Sequence, residues 1–166
     1  MTKWINMEFR GPQVTEGDVR HLETQMDLQL PEDYRAFLLE VNGGRPSRDH
    51  REIAWRRSSA TVSSFYCLNH PDDMFNLLRK MQTYAELQTL PSPDLVIIGH
   101  TDMGPLALAI RGDHYGEVWV LDTHDSRPEG SNPRVLWHDR RDMTRVASTF
   151  ADFIRDLRPL GSFPLA

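Results

Sequence analysis

A chain of 166 residues, 39% hydrophobic and 26% charged, can bury about 70% of its unfolded surface around one core, so it needs no staples and reads as one domain over residues 1–166. Its single cysteine, Cys67, excludes an internal disulfide, and no Cys/His spacing points to structural zinc. The opening MTKWINMEFRGP lacks an apolar leader, and no stretch reaches the roughly 18 apolar residues of a membrane span, which predicts a soluble cytoplasmic protein of net charge −5.

After a short apolar start (Trp4, Ile5, Met7, Phe9) and the break Gly11-Pro12, Thr15 is placed to cap a helix. Asp18 three residues later is a weaker form of the capping box, and Val19, Leu22 and Met26 give one apolar face. The next helix is the clearest. Pro31 suits its first position, Glu32 and Asp33 favour the positive end of its dipole, and Tyr34, Phe37, Leu38 and Val41 repeat at helical spacing. Gly43 supplies the left-handed residue that ends it.

From Arg45 to Arg57 five arginines face Asp49 and Glu52. The stretch reads as a solvated basic loop leading to a short strand at Ile53 and Trp55, and it is too short and poor in interleaved aromatics for direct nucleic-acid binding. Val62 to Leu68 reads as a further strand that buries the Cys67 thiol. Pro71 opens a predicted helix with Met74, Leu77, Leu78 and Met81 on a core-facing side. Leu90-Pro91-Ser92-Pro93 closes it.

The chain is organised around the stretch that follows. Leu95 to Gly99, Leu106 to Ile110 and Val118 to Leu121 are apolar runs separated by two glycine-containing breaks, the pattern of an antiparallel meander. Leu106 to Ile110 has no polar face and is expected to be a central strand. SRPEGSNP after Asp125 reads as a loop, and Arg134 to His138 as a last edge strand. Ser148 is the expected cap of a final helix carrying Phe150, Phe153, Ile154 and Leu157 on one face, ended by Pro159.

Three stretches in this order and spacing, LPEDYRAFLLEVNGG (30–44), LVIIGHTDMGPLALAIRGDHYGEVWVLD (95–122) and VASTFADFIRDL (146–157), resemble the SUKH superfamily, whose members include bacterial immunity proteins and a fungal regulator of cell-wall synthesis. The resemblance implies an α+β fold with a central antiparallel sheet flanked by helices, no enzymatic activity and no cofactor. Its implied partner is a protein, for bacterial members often a cognate toxin of the nuclease class. Relatives carry an Asp and several glycines at the first meander turn; here Asp102 and Gly104 keep that character.

If the meander strands pair in sequence order, their polar residues fall into two groups. His100, Asp102, Asp122, His124 and Asp125 gather at one edge; Asp94, Asp113, His114 and Glu117 gather at the other. Asp94, Asp102, Asp113, Glu117, Asp122 and Asp125 are the candidate partner-binding residues, since against Arg111 alone they give the meander a local charge of −5 and can occupy the basic surface a nuclease offers to phosphates. No HExxH, P-loop, GxGxxG or GxSxG assigns a catalytic residue. The expected function is stoichiometric toxin neutralisation. The alternatives are a regulatory interaction module with another protein, and a metal-dependent hydrolase using the His100 to Asp125 edge. Oligomeric state is open.

Overall fold

The computed structural model describes residues 4–124 and 136–163. Strand β1 (Met7–Phe9) pairs with β2 (Arg45–Pro46) in a small antiparallel ribbon. Helix α1 (Glu16–Met26) starts as expected: the Thr15 side chain accepts the Asp18 amide at 3.2 Å and the Asp18 carboxylate accepts the Thr15 amide at 2.7 Å. That backbone bond is the main reason the Asp18 carboxyl sits below its ordinary pKa. Helix α2 (Glu32–Glu40) buries Tyr34, Phe37 and Leu38, with Pro31 at the cap rather than inside. Its end differs from the expectation. The left-handed turn begins at Asn42 (φ 57°), one residue before Gly43, because the Asn42 side chain is claimed by main chain elsewhere. Its amide donates to Pro12 O (2.7 Å) and Leu68 O (2.8 Å), and its carbonyl accepts the Leu68 amide (2.8 Å).

The Arg-rich stretch is not a solvated loop. It contains β2, a 3-10 turn (Arg48–His50) and β3 (Glu52–Trp55), which forms a hairpin with β4 (Ser58–Phe65) through Arg56 and Arg57. Arg51 is buried because its guanidinium donates to Pro46 O (2.7 Å) and pairs with Glu8 (2.9 Å). A charge so satisfied can leave water. Helix α3 (Leu77–Glu86) starts six residues later than Pro71, capped by Asn76, whose carbonyl accepts the Arg79 amide at 3.0 Å. Residues 71–76 are kept out of the helix because Phe75 O and the Leu77 amide bond the two sides of Cys67 (2.7 and 2.8 Å). Met74 is consequently 63% exposed rather than in the core, while Met81 and Cys67 are buried.

Strands β5 (Leu95–Thr101), β6 (Gly104–Ala109) and β7 (Val118–Leu121) form the expected meander, and every residue of β6 is buried. The first turn is only Asp102-Met103, pinned by buried Thr101, whose hydroxyl donates to Gly104 O at 2.8 Å. Gly104 has φ 145°, and a Cβ there would lie 2.0 Å from Leu121 O, so only glycine lets β6 and the end of β7 meet. The last strand among the described residues is β8 (Met143–Ala147), and the described part of the expected strand at 134–138 is not one. Trp137–Asp139 is a 3-10 turn, while Arg134 and Val135 lie outside the described residues. Helix α4 (Phe150–Asp156) is capped by Thr149, which accepts the Asp152 amide at 3.0 Å, rather than by Ser148.

The large sheet runs β3-β4-β5-β6-β7-β8, all antiparallel, and curls until its first and last strands approach. Arg56 clasps the two ends: its guanidinium reaches Thr144 Oγ1 (3.3 Å), Asp122 Oδ2 (3.1 Å) and Arg141 O (2.7 Å). On the helical side, Trp4, Tyr34, Phe37, Phe65, Phe150 and Phe153 form one aromatic cluster, with ring centroids 4.9–6.3 Å apart.

Beyond α4 the chain returns to β3, where the Glu52 carboxylate accepts Ser59 Oγ (2.6 Å) and the Gly161 and Ser162 amides (2.6 and 3.0 Å). The Ser59 hydroxyl first, and then the tail amides against the opposing effect of burial, hold the Glu52 carboxyl below its usual pKa. A depressed carboxyl stabilises the fold above its unfolded pKa and loses that contribution as pH falls through the folded one. Glu52→Gln is therefore expected to lower stability by roughly 1–2 kcal/mol at neutral pH, with the difference from wild type closing as pH falls below the ordinary glutamate range and through the lower folded pKa. Thermal melts of both proteins from neutral pH into acid check it; a gap that does not narrow as the pH falls would refute the carboxylate's role.

Candidate protein-interaction site

Sequential pairing of β5, β6 and β7 places the two polar groups at opposite ends of the meander. At the first end, Asp102 sits in the exposed two-residue turn and reaches across to β4, where its carboxylate accepts the Thr61 amide at 2.8 Å. Asp122 follows β7 and is buried, held by Arg56 on one oxygen and by the His124 amide (2.9 Å) on the other. His124 approaches the Asp102 carbonyl at 3.4 Å. Burial, followed by the Lys80 ammonium, lowers the His100 pKa, with Asp102 opposing. Asp125 lies outside the described residues. Among the described residues no group of three His, Cys, Asp or Glu side chains is arranged to hold a metal ion.

At the second end, Glu117 is a hub rather than a free charge. One oxygen pairs with Arg145 (3.2 Å); the other contacts His114 Nδ1 (2.8 Å) and accepts Trp119 Nε1–H (3.1 Å). Trp137 and His138 complete this cluster: Trp137 stands edge-on to Trp119 at 5.0 Å, and the His138 ring lies 4.3 Å from that of His114. Sequence reading did not place either residue here, because they arrive from beyond Asp125 and carry no periodic signal. Asp94 is half-buried beside Gly112, while Asp113 is exposed; neither carboxylate has a hydrogen bond or ion pair among the described residues.

Of the six candidate acids, three are thus tied into the fold: Asp102 to a strand amide, Glu117 to Arg145 and Asp122 to Arg56. Asp94 and Asp113 have no such tie among the described residues, and Tyr115, two residues past Asp113, is exposed, its hydroxyl donating to Gln29 O at 3.0 Å. The arrangement suits recognition of a cationic protein surface.

No described helix is long and apolar enough to cross a membrane. No curated protein matches the chain. A family model described as SMI1 / KNR4 family (SUKH-1) matches residues 13–156, from the α1 cap through α4. With the meander and its covering helices inside that match, the chain belongs to the SMI1/KNR4 family (SUKH-1), a family of protein-interaction domains.

Proposed function

We propose that the protein is an immunity protein that neutralises a cognate bacterial toxin of the nuclease class by stoichiometric binding, without catalysis of its own. Family membership carries the reading. The uncommitted carboxylates of Asp94 and Asp113 support it, since acids of this kind can cover a surface built to bind phosphates. Titration calorimetry against the toxin domain encoded beside the gene, at low and moderate salt, tests it. Tight one-to-one binding that weakens with salt and abolishes toxin activity is the expected result. Absence of binding at either salt shifts the assignment to a regulatory interaction module with another protein partner, which the same membership supports.

The site's geometry sharpens the mutational test. Asp94→Lys with Asp113→Lys is expected to weaken the complex about tenfold or more at low salt and leave the melting temperature unchanged, because neither carboxylate is bonded among the described residues. Asp122→Lys is expected to destabilise the free protein, since it places a second cation against Arg56 in a buried setting. Unchanged affinity in the double variant would remove the acidic edge from the interface.

A further inference from the structure

A groove of about 590 Å³ opens between the β1–β2 ribbon and β4, and at Thr61 it reaches the strand position whose amide the Asp102 carboxylate holds. Its walls include Phe9 and Phe75, which are 62% and 38% exposed, and Met74 stands beside Phe75 at 63%. Exposed phenylalanines facing one cavity are costly in water and mark a contact surface. The floor is β4 itself. Strand β3 covers that flank of β4 as far as Thr61, Arg51 O takes the Val62 amide at 2.8 Å, and Gly44 covers the flank again at Phe65; Ser63 and Ser64 line the groove between them.

The charge here is opposite to that of the whole chain. Arg10, Arg45 and Arg51 line the groove, and among the described residues no carboxylate does. Glu8 answers two of them from outside, at 2.9 Å from Arg51 and 3.4 Å from Arg45. Arg45 remains half-exposed, and Arg10 has no ion pair among the described residues. A cationic, phenylalanine-walled groove in a protein of net charge −5 selects a ligand that is locally acidic and apolar. A nucleic acid would meet the arginines too, but its continuous charge would be repelled by the rest of the protein.

We propose that this groove binds an extended segment of a protein partner in which carboxylate side chains alternate with an aromatic or large aliphatic one. The apolar side chain enters between Phe9 and Phe75, the carboxylates face Arg10 and Arg45, and the segment's main chain runs beside Ser63 and Ser64. Cys67 at the groove's inner end is a wall rather than a nucleophile, since burial pushes its thiol up to about 11. The proposal is independent of the toxin, and the two fail separately.

The test uses the full chain, labelled with nitrogen-15, titrated with a pool of synthetic hexapeptides carrying Asp or Glu at alternate positions and Phe, Tyr, Leu or Ile between them. Amide shifts confined to Phe9, Gly44, Ser63, Ser64 and Phe75 are expected. Arg10→Glu should weaken peptide binding about fivefold to tenfold without lowering the melting temperature, and Arg45→Gln, which sets no second carboxylate against Glu8, should weaken it about threefold to fivefold. A matched pool with lysine in place of the acids should not bind wild type. The proposal is overturned by no groove shifts at millimolar peptide, by equal binding of the lysine pool, or by an oligothymidylate displacing the peptides from the same amides. It is likewise overturned if dilution alone shifts those amides, which would give the groove to a second copy of the chain.

Discussion

Phe150→Ala is expected to cost about 4 kcal/mol and lower the melting temperature by about 10–15 °C. Phe150 is fully buried, and five rings surround it: Phe37 at 4.9 Å, Tyr34 at 5.0 Å, Phe65 at 6.0 Å, and Trp4 and Phe153 at 6.3 Å. These neighbours come from the N-terminal segment, α2, β4 and α4, so no single element can collapse into the space without moving another. Alanine is the better helix former, and Phe150 is the first residue of α4; helix propensity therefore opposes the loss, and the whole cost comes from packing. Phe150→Leu should recover more than half of it, whereas Phe9→Ala, at an exposed position, should stay within about 0.5 kcal/mol of wild type. Urea unfolding of the three variants checks the order. A Phe150→Ala loss below about 2 kcal/mol would mean that the cluster can repack and is not the keystone of the helical side.

Asn42→Ala is expected to cost about 3–4 kcal/mol, for two separable reasons. The side chain satisfies three main-chain groups, both polar groups of buried Leu68 and the Pro12 carbonyl at a partly buried site. Truncation leaves them unmet, at about 1 kcal/mol each. The backbone at Asn42 is left-handed (φ 57°), a conformation that asparagine tolerates and alanine resists by about 1 kcal/mol or more. Asn42→Gly removes the same hydrogen bonds but relieves the backbone, so it should be more stable than Asn42→Ala by about 1 kcal/mol. Equal losses in the two variants would show that the side-chain bonds act alone. Asn42→Asp should fall below both, since a carboxylate would be aimed at two carbonyl oxygens.

What could be read in the chain beforehand follows the range over which each signal acts. The Thr15–Asp18 capping box, the apolar face of α2 and the three meander runs are encoded within a few residues, and all three are present. The errors sit where a distant residue decides. Arg51 looked solvated because its partner Glu8 is 43 residues away. Pro71 looked like a helix start because nothing nearby shows that Cys67 holds Phe75 and Leu77 on either side. MTRVA at 143–147 is too short and mixed to announce itself as a strand; β7 makes it one, by pairing Trp119 with Arg145 and Val120 with Thr144. The candidate site divides the same way. Sequence order and alternation were enough to sort Asp94, Asp113, His114 and Glu117 to one end of the meander and Asp102 and Asp122 to the other. They could not tell that Arg56 and Arg145 neutralise two of the acids from across the sheet.

The Arg56 clasp also bears on how the protein behaves in a crowded solution. A six-stranded sheet ends in two strands, β3 and β8, whose outer main-chain groups can template a neighbour's strand. Here β3 is capped by the returning tail, with Arg158 exchanging main-chain bonds with Glu52 in both directions (2.8 and 3.0 Å). Arg56 places a cation on Thr144 and on the Arg141 carbonyl at the other rim. Charge and tail together obstruct the outer groups of β3 and β8, which leaves the short flank of β4 at Ser63 and Ser64 to the partner segment proposed above.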